Sequence, residues 1–81
     1  MANQFSEYLI EKAWQRSGGE CECEKEAHGH VGRCNKMLML SYRSDHSSAY
    51  GWEAYSISGQ YLDEMSDIEI LCWDPCYKMI L

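Results

Sequence analysis

This sequence has little from which to build a conventional core: one Phe in 81 residues, and few Val or Ile. Three Trp and six Tyr add large apolar area. Even so, a chain of this length buries only about 60–65% of the surface that its unfolded form exposes. Domains this small usually need a staple: disulfides, a metal or a partner subunit. No apolar run approaches about 18 residues, so no membrane span is expected. The segment Met1 to Ile10 is polar and acidic where a secretory signal would be basic, so a reducing cytoplasm is the expected compartment. An even cysteine count is also missing. Cys21, Cys23, Cys34, Cys72 and Cys76 cannot close a disulfide framework among themselves. Clustered thiols in a reducing compartment bind metal more often than they pair, which makes structural Zn²⁺ the expected cofactor.

Basic charge is the next shortage, and it is uneven. Residues 1–36 carry five Lys or Arg against six Glu, a net of −1. Residues 37–81 carry only Arg43 and Lys78 against seven carboxylates, a net of −5. Loading four thiolates with one Zn²⁺ would take the whole chain from −6 to −8. A duplex-binding surface needs Lys and Arg to neutralise phosphates and release counterions, so the second half argues against nucleic acid as a partner.

What is present reads as one domain. Over residues 3–16, Phe5, Leu9, Ile10, Ala13 and Trp14 form an apolar stripe, and Glu7, Glu11, Lys12 and Arg16 fill the other face. This predicts an amphipathic helix, with Asn3 as N-cap and Ser17-Gly18-Gly19 as stop. Residues 20–36 hold three cysteines, two histidines and two glycines with almost nothing apolar. Such a segment cannot offset its ordering entropy by burial and needs a metal to organise it. Met37 to Tyr42 suits a strand, and Gly51 to Ser58 predicts a second, half-buried strand containing Trp52, Ala54 and Ile57, with Trp52 in the core. His46 falls in the polar Arg43–Tyr50 loop, where a solvated side chain is expected. Ile68, Ile70 and Leu71 lead into Cys72. Asp74 and Pro75 are a favourable N-cap and first helical residue, which predicts a short helix from Cys76 to Leu81 with Met79, Ile80 and Leu81 folded back on the core.

Structural zinc sites are closed by four Cys or His ligands, usually as two local pairs. Cys72 and Cys76 form the second pair, with Cys76 in a first helical turn whose dipole would favour its thiolate. Cys34 belongs to the first pair. Its mate is Cys21 or Cys23, with His28 and His30 as substitutes or outer groups.

The order of these pieces resembles a known family. A cysteine- and histidine-containing knuckle is followed by Gly51-Trp52-Glu53-Ala54, a loop, Glu69-Ile70-Leu71-Cys72-Trp73-Asp74 and a second cysteine opening a short helix. Over residues 20–81 this is similar to HNH endonuclease-like domains. The resemblance implies an α+β fold: a small zinc-stabilised treble clef in which a ββα element holds a catalytic metal beside a structural zinc, here with an added N-terminal helix. In active members a histidine pair follows the equivalent of Glu53-Ala54, where this chain has Tyr55 and Ser56. Asp67 stands in place of a base-orienting asparagine, and Tyr77 in place of a further metal-binding histidine. A tyrosine near pKa 10 is a poor general base at neutral pH, so a degenerate, non-catalytic scaffold is the expectation.

Three functions follow. The first is a non-catalytic zinc-binding domain that meets a protein partner through tyrosines, chiefly Tyr55, Tyr61 and Tyr77, with Tyr50 and Trp52 as further candidates. The second is a small acidic inhibitor, of bacterial or phage kind, whose carboxylates imitate phosphates in the groove of a nucleic-acid-binding protein. The third is a divergent metal-dependent nuclease using Asp45, His46, Asp67 and Asp74.

Overall fold

The computed structural model describes residues 5–24 and 32–80, a small α+β fold of one helix and a two-stranded antiparallel sheet. The Ile80 side chain and Leu81 lie outside the described residues, as do Asn3, His28 and His30.

Helix α1 spans Glu7–Ser17, and its cap is Ser6. The Ser6 hydroxyl accepts from Leu9 N at 3.2 Å, satisfying one of the orphan donors of the first turn. Phe5 just before the cap and Ile10 in the second turn are both buried, the placement of a hydrophobic staple. Leu9, Ile10 and Ala13 face the core as the stripe predicts. Gly18 ends the helix in the left-handed region (φ 69°), its N–H donating to Gln15 O.

The cysteine-rich loop is an irregular hairpin. Leu38 N donates to Gly19 O, Cys21 N to Lys36 O, Asn35 N to Cys21 O and Cys34 N to Cys23 O, at 2.7–3.1 Å. These bonds set Cys21 beside Cys34. Two arginines complete the backbone satisfaction that regular structure leaves undone. Arg33 donates to the carbonyls of Cys21 and Ser17. Arg16 forms a fork with Glu22 (2.7 and 2.8 Å) and also donates to the Met65 and Ile68 carbonyls.

Strands β1 (Trp52–Ser56) and β2 (Ile68–Cys72) pair in the register Trp52↔Cys72 through Ser56↔Ile68. On the outer edge of β2, Glu22 N donates to Ile70 O and the Glu22 carboxylate accepts from Ile70 N. The hairpin is thereby tied to the sheet. Trp52, Ile68, Ile70 and Leu71 are fully buried with Cys21, Cys23, Cys72 and Cys76, so thiols form much of this core.

Three expectations change. Met37 to Tyr42 is not a strand: only Leu38 is buried, Met37 and Leu40 are 67% and 59% exposed, and the chain turns over Leu40–Tyr42. The Trp52 indole donates to Met39 O, and Tyr42 N does so too, which turns the chain aside. Ile57 is exposed because β1 ends at Ser56, whose side chain anchors the following loop. At the C-terminus, Asp74 is extended (φ −124°, ψ 120°) as a cap should be. A wide turn over Trp73–Tyr77 then leads into one helical turn, α2 (Lys78–Ile80), with Met79 exposed. A single turn has no stripe with which to fold Met79 inward.

The β1–β2 connection hangs on one carboxylate. Asp67 accepts from the Ser56 hydroxyl, Ser58 N and Leu62 N at 2.8–3.0 Å and is buried. Burial alone would raise its pKa, but these donors together hold it below the usual value. Because the folded value is the lower one, the stabilisation is full above the ordinary carboxylate range. It is lost as pH falls through the depressed folded value. Asp67→Asn should remove it at every pH. The expected result at pH 7 is faster amide exchange at Ser58 and Leu62 with β2 still protected; unchanged exchange would refute the anchoring role.

Candidate metal centre

Three elements deliver four sulfurs to one point. The hairpin supplies Cys21 and Cys34, the end of β2 supplies Cys72, and the wide turn supplies Cys76. Their Sγ atoms all lie within 4.8 Å of one another. Cys21, Cys72 and Cys76 are buried and Cys34 partly so. None of the five described cysteines forms a disulfide. Four converging thiols can hold a metal ion.

The sequence left Cys21 and Cys23 as alternatives, and the fold separates them. Strand alternation in the hairpin places Cys21 with the cluster, where its sulfur accepts from Cys72 N at 3.2 Å. Cys23 is equally buried but stands outside the group of four, its thiol hydrogen-bonded to Cys76.

The four thiols perturb one another. A hydrogen bond from the Cys21 thiol, helped by donors at Cys76 and Cys34, pulls Cys72 down to about 5. The same Cys21–Cys72 bond and burial push Cys21 up, and burial pushes Cys76 up. Burial, with the Cys23 hydrogen bond, thus opposes the lowering that a helix dipole was expected to give at Cys76. The wide turn gives Cys76 no regular helix behind it, and the thiol hydrogen bonds of Cys21, Cys76 and Cys34 gather on Cys72 instead.

The other named residues sit apart from this cluster. Among the described residues, Asp45, His46, Asp67 and Asp74 form no metal-binding group. Asp45 accepts from the Ser47 amide and hydroxyl, which hold its pKa down. Asp67 is the loop anchor, and Asp74 is exposed. His46 is exposed in its loop, as expected, but it is also held: its ring lies flat on Trp73 (centroids 3.4 Å, 3°) and Nε2 meets Glu53 Oε2 at 2.6 Å. Gly51 makes this loop possible, since a Cβ there would lie 1.9 Å from Asp45 O. No local pattern signals this contact, which joins residues from the 43–50 loop, β1 and the wide turn.

Tyr55, Tyr61 and Tyr77 are each half-buried against the core, Tyr55 edge-on to Tyr77 at 6.3 Å and Tyr61 beside Phe5 at 5.2 Å. Burial, with Glu53 nearby, raises the Tyr77 pKa. Trp52 is core, as expected. Among the described residues no helix is long and apolar enough to cross a membrane. Compared with models of known protein families, with curated proteins and with solved structures, this chain matches none.

Proposed function

We propose that this chain is a non-catalytic zinc-binding interaction domain on an HNH-like, treble-clef scaffold, and that it binds a protein partner. The observation that carries the reading is the closed set of four thiols. Four Cys sulfurs with no water position are the donor set of structural zinc, whereas catalytic sites keep one position open. A zinc–sulfur bond of about 2.3 Å places tetrahedral sulfurs about 3.8 Å apart, which the observed spacing reaches with a small contraction. Zinc would supply cross-linking here: Cys21 and Cys34 would be fastened to Cys72 and Cys76, joining hairpin, sheet and C-terminal turn.

The residues at the family's catalytic positions support loss of activity. Ser56 and Asp67 bond to each other and anchor a loop, and Tyr55 and Tyr77 pack on the core. The same facts weigh against phosphate mimicry by Asp67, whose carboxylate is spent on internal partners. Zinc-loaded protein is expected to carry one zinc per chain and to leave supercoiled plasmid intact with Mg²⁺ or Mn²⁺. Metal-dependent nicking abolished by His46→Ala would overturn the non-catalytic reading. Affinity capture from the native host that returned a basic nuclease or polymerase would shift it to the inhibitor.

A further inference from the structure

Between the start of α1, β1 and the wide C-terminal turn lies a cavity of about 190 Å³, lined among others by Phe5, Arg43, Ser44, Glu53, Tyr61 and Tyr77. It is smaller than the ~300 Å³ at which ordinary small-molecule sites begin, and suits a single amino-acid side chain. Its aromatic walls include the Phe5–Tyr61 pair, rings 5.2 Å apart and inclined at 51°.

The charges in this cavity are not equivalent. The Arg43 guanidinium is already spent, donating to both oxygens of Glu7 at 2.8 and 2.9 Å. The Glu53 carboxylate takes one bond from Ser44 Oγ (3.0 Å) and one from His46 Nε2 (2.6 Å) and stays 20% exposed. An ionised carboxylate only accepts, so the His46 ring nitrogen facing Glu53 is the donor of that bond. A carboxylate has about four acceptor sites, so two remain for further N–H donors.

The backbone also converges here. Among the described residues, Ser44 (φ 62°) and Tyr61 (φ 54°) are two of the three non-glycine residues with positive φ, and both line the cavity. For a bulky aromatic that region is disfavoured, and it persists only where surroundings over-determine it. At Tyr61 the surroundings are the Ser56 hydroxyl, which accepts Tyr61 N, and the Asp67 anchor behind it. Such outliers concentrate at ligand sites.

A carboxylate set among aromatic rings, in a space the size of one side chain, selects a cation through charge and through the ring faces. We infer that this cavity receives one lysine or arginine side chain from a basic partner segment, Glu53 taking its N–H groups and Phe5, Tyr61 and Tyr77 its stem. The net charge of −6 draws such a segment in. The inference rests on the reading of the chain as a protein-binding domain and names the chemistry of the partner.

The test is an amide chemical-shift titration of zinc-loaded protein with the capped peptide Gly-Gly-Lys-Gly-Gly, its Nε-acetyl-lysine form and its norleucine form. Saturable shifts are expected at Ser44, Glu53, Tyr61 and Tyr77 with the lysine peptide, about tenfold weaker with either neutral one. Glu53→Gln should bring the lysine peptide down to the neutral level. Equal binding of lysine and acetyl-lysine, shifts mapping elsewhere, or no saturation would each overturn the assignment. If Glu53→Gln fails to fold, the three peptides on native protein decide alone. A null titration on protein holding one zinc and nicking no plasmid removes the cavity assignment and leaves the interaction-domain reading standing.

Discussion

Cys72→Ser is expected to bind no stoichiometric zinc and to lose cooperative unfolding altogether. The reason is how little else holds this chain. A two-stranded sheet is marginal in water by itself, and a domain of this size has a total stability of about 5–15 kcal/mol. Structural zinc contributes about 10–16 kcal/mol of apparent binding free energy near pH 7, as much as that whole margin. Cys72 is the member most prepared to ligate, held near 5 by the Cys21 hydrogen bond while Cys21 and Cys76 are held up. Serine keeps a buried polar atom but offers zinc a weak ligand. Metal content by mass spectrometry and unfolding followed by circular dichroism read the outcome. Cys21→Ser should behave the same way, whereas Cys23→Ser should retain one zinc, because Cys23 stands outside the four. Zinc must displace protons from the raised thiols, so its affinity should fall as pH is lowered. A Cys72→Ser chain that folds cooperatively without metal would show that the thiols serve only as core side chains.

Trp52→Ala should cost about 3–5 kcal/mol in zinc-loaded protein, the largest effect expected outside the metal centre. Trp52 is fully buried and packs against Trp14, ring centroids 4.7 Å apart and planes inclined at 32°, which ties α1 to β1. Its indole N–H donates to Met39 O at 3.0 Å, fixing where the chain turns after the hairpin. It also pairs across the sheet with Cys72, so the cavity left by alanine would open beside a sulfur of the cluster. Trp52→Phe keeps an aromatic ring and forfeits the hydrogen bond, leaving Met39 O without that donor, for about 1–3 kcal/mol. Urea midpoints at saturating zinc separate the two. A loss below about 1 kcal/mol for Trp52→Ala would place the stability almost wholly in the metal cross-link.

Two features limited what could be read along the chain. Local signals worked where one segment supplies its own partners. The α1 stripe and its glycine stop were legible, although Ser6 rather than Asn3 is the observed cap within the described residues. Burial of Trp52 and strand β1 were also legible, because Gly51 to Ser58 carries its alternating pattern in sequence. Met37 to Tyr42 failed for the opposite reason: an apolar run becomes a strand only when an edge is available. Here the outer edge of β2 is taken by Glu22, and the Trp52 indole takes the Met39 carbonyl. Ile57 and Met79 likewise had apolar character but no surface left to cover.

Taken by itself, the sequence determined that a short chain poor in aliphatic residues draws on clustered thiols for its core, since composition bounds how much surface can be buried. It also pointed to Cys34, Cys72 and Cys76 as partners, with Cys21 or Cys23 to complete them and His28 and His30 as substitutes. Only the tertiary structure decided that this one is Cys21, because the side alternation of a hairpin is set by its pairing partner, Cys34 to Lys36, and not by its own residues. It alone decided that the Cys21 thiol meets Cys72 and that His46 is held between Trp73 and Glu53. It alone gathered Ser44, Glu53 and Tyr61 around one cavity. These are contacts between residues far apart in the chain, and no local periodicity encodes which distant groups a folded backbone will bring within hydrogen-bonding reach.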